Sequence, residues 1–290
     1  MIDRRTLLAA VPALFAGGAV AAAGPAPLRL ESAVAAAETA TGGRVGMTVI
    51  DTATGQRFSH RGSERFPMAS TFKMQLAAAM LMRADAGQER LDRAIAIKPG
   101  DIVGHSPFSK TRVGSSATIA ELARATVTTS DNGAANLLLA TMGGPEGFTR
   151  WVRSIGDRVT RLDRYEVMMS EGRPGDPRDT TSPDAVAASW QRLLLGNALS
   201  PASQGTLTDW VIANTTGDAR LRAGLPKDWR VGDKTGTGGD NSVNDIAIVW
   251  PPGRPPVIIA AFMNGGTASP EAHEKAHADL ARAVAGAITR

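Results

Sequence analysis

The chain contains no cysteine, which excludes structural zinc–thiolate sites, iron–sulfur clusters, thiol nucleophiles and disulfides. Aromatic residues make up only 4%, with a single tyrosine, and the net charge is a modest +4. No Lys/Arg run interleaved with aromatics occurs, so no nucleic-acid partner is expected. There are four histidines, and no G-x-S-x-G elbow accompanies any of them, which leaves a Ser-His-Asp triad without support. After the first residues no apolar run is long enough to span a bilayer, which argues against a polytopic membrane protein. What is present is ordinary for a globular chain: 43% hydrophobic and 21% charged residues over 290 positions. At roughly 150 residues per domain, that length suggests about two domains.

Residues 1–26 read as a leader. Arg4 and Arg5 precede an apolar stretch from Leu7 to Val11, followed by Leu14, Phe15 and an Ala/Gly segment. Cleavage is expected near Ala21–Ala26. The adjacent arginines resemble a twin-arginine signal, and an ordinary secretory signal fits nearly as well. A membrane anchor fits poorly, because about 18 apolar residues are interrupted by Pro12, Gly17 and Gly18. The expectation is a protein exported to the periplasm or medium, with no membrane attachment after cleavage.

Strand-like segments lie at both ends of the remaining chain. Val45–Asp51 and Gln56–His60 flank a Thr54-Gly55 turn, and Trp229–Lys234, Val243–Trp250 and Val257–Met263 follow near the C-terminus. Ser269-Pro270 opens a helix reaching about Ile288. Between the two sets lie helical patterns at Phe72–Arg83, Ile119–Val127, Ala134–Met142, Pro145–Ile155, Pro183–Leu195 and Ala202–Ala213. The simplest architecture is one sheet built from both chain ends, residues 27–66 and 214–290, with a helical domain inserted at 67–213. A site would lie in the cleft between them.

Three short motifs carry chemistry. Ser70-Thr71-Phe72-Lys73 places a hydroxyl and an amine on one face of a helix start. A serine becomes a nucleophile when a base and an oxyanion hole flank it, and a helix N-terminus offers a backbone N–H for the oxyanion. The bland alternative is a Ser cap followed by a surface Lys. With 17 Ser and six Lys, about 0.35 S-x-x-K matches arise by chance in such a chain. Ser130-Asp131-Asn132 would serve equally as a helix N-cap. Lys234-Thr235-Gly236 would serve as a strand-to-turn exit. The three together are a coincidence on the order of one in a thousand, so the functional reading prevails.

In this order and spacing the motifs resemble those of the penicillin-recognising serine enzymes, and class A serine β-lactamases in particular. Arg164-Tyr165-Glu166, about 35 residues after Ser130-Asp131-Asn132, strengthens the resemblance, which covers essentially the whole chain after the leader. It implies an α/β (α+β) fold: a five-stranded antiparallel sheet flanked by helices, plus an all-helical domain. It implies β-lactam hydrolysis, and hence β-lactam resistance, by a monomer without metal or cofactor. The implied catalytic residues are Ser70 as nucleophile, Lys73 assisting its deprotonation, Ser130 passing a proton to the lactam nitrogen and Glu166 activating water. The Ser70 and Thr237 N–H groups would form the oxyanion hole. Asn132, Lys234, Thr235, Gly236, Thr237 and Arg220 would bind substrate, with His105 at the rim. Arg164, Asp179, Asn136 and Ser170 would hold the loop of Glu166. A D-alanyl-D-alanine peptidase and a non-catalytic β-lactam-binding sensor are the rivals.

Several positions depart from the family pattern. Val167 replaces the usual Pro, so a cis bond after Glu166 would cost about 2.5–4 kcal/mol rather than about 0.5–1. Ser170 replaces an Asn that helps hold the deacylating water. Asn244 occupies what reads as the place of a carboxylate-binding Arg, and Arg220 resembles an alternative supply of that charge. Ala69 and Gly238 stand where one carbapenem-hydrolysing group pairs cysteines. Finally, His273-Glu274-Lys275-Ala276-His277 matches H-E-x-x-H formally. Only 13 residues follow it, with neither Glu nor His to complete a zinc site.

Overall fold

The structure, a computed structural model, describes residues 27–289; the expected leader lies outside the described residues. In chain order, helix α1 (Glu31–Thr41) leads into strands β1 (Arg44–Asp51), β2 (Arg57–His60) and β3 (Phe66–Pro67). A 3₁₀ turn at Ala69–Thr71 opens α2 (Phe72–Asp85). Then come β4 (Ala94–Ala96), α3 (Pro107–Lys110), β5 (Ser116–Thr118), α4 (Ile119–Thr128), α5 (Asn132–Thr141) and α6 (Gly144–Ser154). The chain continues through β6 (Thr180–Thr181), α7 (Pro183–Leu194), α8 (Pro201–Ile212) and α9 (Leu221–Gly224). It closes with β7 (Arg230–Gly238), β8 (Ser242–Trp250), β9 (Val257–Asn264) and α10 (Pro270–Ile288).

The five-stranded sheet has the order β2-β1-β9-β8-β7, every pairing antiparallel. Both faces are covered, which is why β9 reads as the unbroken apolar run VIIAAFMN rather than an alternating pattern. On one face Val45, Met47, Val49 and Ile259 pack under Val34 of α1 and Leu280 and Val284 of α10. On the other, Phe262 and Ile258 join Phe72, Leu76, Leu138, Phe148 and Trp190 of the helical block. Helix α2 is buried along its length from Phe72 to Leu81, as suits a helix apolar on nearly every side. It carries Lys73 inside with it. Helix α7 lies against β1 and β9, and α8 against β7, so the helical segment grips the sheet.

Helix starts follow local chemistry. Thr118 and Glu121 form a reciprocal capping box on α4. Ser182, Ser200 and Ser269 cap α7, α8 and α10, each with Pro in the first turn. Two differences from the sequence expectations stand out. Helix α1 was not anticipated; it is an Ala-rich segment that ends on the left-handed Gly42 (φ 65°). Strand β7 does not end at Lys234 but runs on to Gly238. Its glycines face close backbone neighbours: a Cβ on Gly236 would lie 2.7 Å from Met68 O, and one on Gly238 2.6 Å from Ser170 O. Bare backbone therefore lets this edge strand lie against the Ser70 turn on one side and the Glu166 loop on the other.

Candidate active site

The chemistry-bearing residues converge on a cleft of 390 Å³ between the helical block and the β7 edge, lined by Ser70, Ser130, Asn132, Glu166, Ser170, Arg220, Thr235, Gly236, Thr237 and His105. A larger hollow of 610 Å³ lies behind the loop between Arg44, Arg65 and Arg173. There Arg44 is bound by Glu64, Arg65 by Val159 O and Thr180, and Arg173 by Glu171, and no nucleophile–base pair faces it. The reactive groups belong to the smaller cleft.

Lys73 is the junction of that cleft. Its Nζ lies 2.9 Å from Ser70 Oγ, 2.9 Å from Glu166 Oε1, 2.9 Å from Ser130 O and 2.5 Å from Asn132 Oδ1. Four close acceptors compete for three ammonium protons. Ser70 Oγ in turn donates to Glu166 Oε1 at 3.4 Å. Burial drives Lys73 below its ordinary pKa, and the charges of Glu166 and Asp131 oppose that. Lys234 reaches Ser130 Oγ at 3.2 Å, so this hydroxyl stands between two amines. Burial first, and then the like charge of Lys73, pushes Lys234 down to about 7. The arrangement can take a proton from Ser70 and return one through Ser130.

The backbone is bent to make this contact. Ala69 (φ 44°) and Ser130 (φ 57°), neither a glycine, occupy the left-handed region on either side of Lys73. Asp131 anchors its segment as the N-cap of α5, accepting from Ala134 N at 2.8 Å, from Phe108 N at 2.8 Å and from Ser109 Oγ at 2.6 Å. A Cβ on Gly238 would stand 3.4 Å from Ala69 Cβ, so these two positions face each other.

Glu166 is held by its loop. Asn136 accepts from Glu166 N and donates to Glu166 O, both at 2.9 Å. Arg164 pairs with Asp179 at 2.7 Å and with Glu171 at 2.8 Å, while Asp179 also accepts from Asp163 N and Arg164 N. Burial raises Asp179 despite these donors. The Glu166–Val167 bond is cis. Ser170 Oγ donates directly to Glu166 Oε2 at 3.2 Å.

At the other end of the cleft Arg220 is 9% exposed, not a solvent-facing residue. Its Nη1 donates to Asn244 O at 2.7 Å and Gly236 O at 3.1 Å, and its Nη2 to Thr237 Oγ1 at 2.6 Å. The Asn244 side chain points the other way, donating to Pro67 O at 2.9 Å. Strand alternation therefore gives Val243 and Asp245, not Asn244, to the face that carries Arg220. His105 lies at the rim, its Nε2 3.0 Å from Thr129 O and its own O accepting from Asn132 N. Thr216, bonded to Thr235 Oγ1 at 2.5 Å, also lines the cleft, as does Gly104. Sequence reasoning gave neither a role, and no motif marks them.

His273 and His277 are buried beneath the sheet. Among the described residues no group of three or more His, Cys, Asp or Glu could hold a metal ion.

The model of the β-lactamase enzyme family matches residues 29–288. The chain belongs to that family. β-Lactamase L2 of Stenotrophomonas maltophilia is 46% identical over 270 residues, covering 92% of this chain and 89% of that protein. The carbapenem-hydrolysing β-lactamase KPC of Klebsiella oxytoca is 45% identical over 248 residues, covering 85% and 83%. Among solved structures, an ancestral class A β-lactamase (GNCA) superposes with a TM-score of 0.88 at 54% identity, covering 89% of this chain and 100% of that one. The fold of this β-lactamase is thus the expected class A sandwich of an antiparallel sheet and helices.

Proposed function

We propose that the chain hydrolyses β-lactams through a Ser70 acyl-enzyme and thereby confers resistance to them. Ser70 Oγ attacks the lactam carbonyl as Lys73 takes its proton. The Ser70 and Thr237 N–H groups receive the oxyanion, and Ser130 hands a proton to the departing nitrogen. Glu166 then activates a water that cleaves the ester. Lys234, Thr235 and Arg220 hold the substrate carboxylate, Gly236 lines the bound ligand's flank, and Asn132 offers its amide N–H groups to the substrate side chain, with His105 at the mouth. Serine and glutamate supply both nucleophile and base, so no metal or cofactor enters these steps. The observation that carries the proposal is a carboxylate 3.4 Å from the nucleophile's oxygen and 2.9 Å from its lysine. A peptidase that stalls on penicillin, or a sensor that only binds it, has no use for such a base. Purified protein mixed with a chromogenic cephalosporin should turn over many equivalents, with a transient adduct in the intact mass. A permanent one-equivalent adduct would favour the sensor or peptidase instead.

Export follows from reading residues 1–26 as a leader, and we place the enzyme in the periplasm or medium as a monomer. Among the described residues no helix is long and apolar enough to cross a membrane.

Two further results are expected. With Lys234 at about 7, its ammonium is charged below that pH and loses its proton above it. The attraction for the substrate carboxylate should weaken accordingly, giving kcat/KM an alkaline limb that starts near neutrality. Lys234→Arg keeps a cation at all working pH values and should shift that limb upward. A pH profile from about 5.5 to about 10 checks this, and an unmoved limb would assign it to another group. Ser170→Asn should speed deacylation of a bulky cephalosporin about 2- to 10-fold, and of a small penicillin less, because the longer amide holds the water more firmly. Pre-steady-state rates unchanged for both substrates would remove Ser170 from the water's environment.

A further inference from the structure

Thr216 lines the cleft beside Thr235, yet no step of the proposed reaction uses it. A chain of hydrogen bonds leads from it into the interior. At the inner end, Asp233 on β7 is fully buried; Arg222 Nη2 holds its Oδ1, and its Oδ2 accepts from Asn214 Nδ2 at 2.6 Å. Asn214 Oδ1 accepts from Thr216 N at 3.2 Å and from Thr216 Oγ1 at 2.9 Å. Thr216 Oγ1 in turn lies 2.5 Å from Thr235 Oγ1. The backbone between α8 and α9 is pinned around this chain. Thr215 N donates to Thr128 O at 3.0 Å, and Gly217 O accepts from Arg220 N at 2.9 Å. A Cβ on Gly217 would stand 1.8 Å from Asp233 Oδ2, so bare backbone lets the turn close on that carboxylate.

Counting protons along the chain fixes the direction of each bond. A backbone N–H only donates, so the Asn214 atom facing Thr216 N is the oxygen, and the amide cannot be turned over. Asn214 Oδ1 only accepts, so it takes the single hydroxyl proton of Thr216. Thr216 Oγ1 then has only lone pairs left for Thr235, and the Thr235 hydroxyl donates to it. In the free cleft the Thr235 proton therefore points at Thr216 and not at the opening. A substrate carboxylate only accepts, so Thr235 has to turn that proton outward to bind one. Thr216 is then free to turn its own proton from Asn214 Oδ1 to Thr235 Oγ1. Asn214 Oδ1 keeps the Thr216 N–H, so the exchange leaves no buried acceptor bare. Two hydroxyl rotations convert the pair from a closed chain to one that ends on the ligand.

We propose that Thr216 positions the Thr235 hydroxyl for the substrate carboxylate: it accepts the Thr235 proton in the free cleft and donates to Thr235 Oγ1 once Thr235 donates to the ligand. A hydroxyl that accepts a hydrogen bond is polarised into a better donor, so the chain Thr216–Thr235–carboxylate binds more firmly than Thr235 alone. Thr216 acts through Thr235 and is a positioning residue. The inference rests on the reading of Thr235 as a partner of the substrate carboxylate.

The first test observes the protons. Neutron diffraction from deuterium-exchanged crystals of the unaltered protein, grown without carboxylate or sulfate, should place the Thr235 deuteron toward Thr216 Oγ1 and the Thr216 deuteron toward Asn214 Oδ1. In Glu166→Ala protein acylated by a penicillin, the Thr235 deuteron should face the ligand carboxylate and the Thr216 deuteron Thr235 Oγ1. A Thr216 deuteron that stays on Asn214 in the acylated protein, or a Thr235 deuteron already turned to the opening in the free one, overturns the proposal. The second test compares Thr216→Val, Thr216→Ser, Thr235→Val and the double valine variant on a penicillin. Thr216→Val, which keeps the shape and loses the hydroxyl, should lower kcat/KM about three- to tenfold through KM, with kcat within about twofold. Thr216→Ser should stay within about twofold of the parent. In the Thr235→Val background Thr216→Val should add nothing further. An equal loss in both backgrounds, or a loss in Thr216→Ser as large as in Thr216→Val, marks a merely structural role and overturns the proposal. Unchanged kinetics in Thr216→Val, with Thr235→Val impaired, overturns the positioning role alone. Unchanged kinetics in Thr235→Val itself overturns the reading of Thr235 and the role of Thr216 with it.

Discussion

Glu166→Ala is expected to turn the enzyme into one that acylates and then stalls. Removing this carboxylate leaves the 2.9 Å contact between Lys73 and Ser70 in place. It also removes a charge that holds the Lys73 pKa up, so Lys73 falls further and becomes the more available base. Acylation therefore continues. Deacylation loses the one carboxylate beside the ester, and loss of a positioned general base typically costs 10²–10⁴-fold. Intact mass should show a persistent one-equivalent adduct, and turnover of the chromogenic substrate should cease after about one equivalent. Ser70→Ala is the companion: neither adduct nor turnover is expected, because Ser70 is the hydroxyl that stands beside both Lys73 and Glu166. The Lys73–Glu166 pair at 2.9 Å survives that change, so the fold should too. Parental turnover in Glu166→Ala, or an adduct of normal mass on Ser70→Ala protein, would remove these residues from their proposed roles.

How much of this was readable in the chain depended on whether the signal was local. Strand β9 announces itself because both its faces are buried, and α10 because Ser269-Pro270 caps it. Ser70 and Lys73 are three residues apart at a helix start, so their proximity is local geometry. The rest depends on partners distant in sequence. Strand β7 continues through two glycines because the Ser70 turn and the Glu166 loop press on it, which no propensity records. Helix α1 lacks a strong apolar stripe and follows closely on the expected leader, so its sequence pattern merges with the residues before it. Asn244 reads in the sequence as the place of a carboxylate-binding Arg, but strand side chains alternate and its amide turns to Pro67 O, so Val243 and Asp245 take the Arg220 side instead. Thr216 lines the cleft beside Thr235, a contact made by tertiary packing.

Arg220→Ala is expected to cost about 10- to 150-fold in kcat/KM on penicillins, the loss of roughly 1.5–3 kcal/mol for a charge-assisted hydrogen bond. The side chain is nine-tenths buried, yet its Nη2 reaches Thr237 Oγ1 at the cleft wall and the residue lines the cleft. Val243, on the same face of β8, brings no charge, so Arg220 and Lys234 together supply the cations for a substrate carboxylate. These two differ in kind. Lys234 titrates near neutrality, whereas Arg220, although burial lowers it from its usual value, remains the permanent charge. The loss in Arg220→Ala should therefore grow with pH, as Lys234 ceases to compensate above about 7. Arg220→Lys restores charge but not the forked donors that bridge Gly236 O, Asn244 O and Thr237 Oγ1, and should recover only part of the loss. The decisive measurement is kcat/KM for the parent and both variants at about pH 6 and about pH 9. Equal values for parent and Arg220→Ala at both would leave Lys234 as the sole carboxylate partner and reduce Arg220 to a strut between β7 and β8.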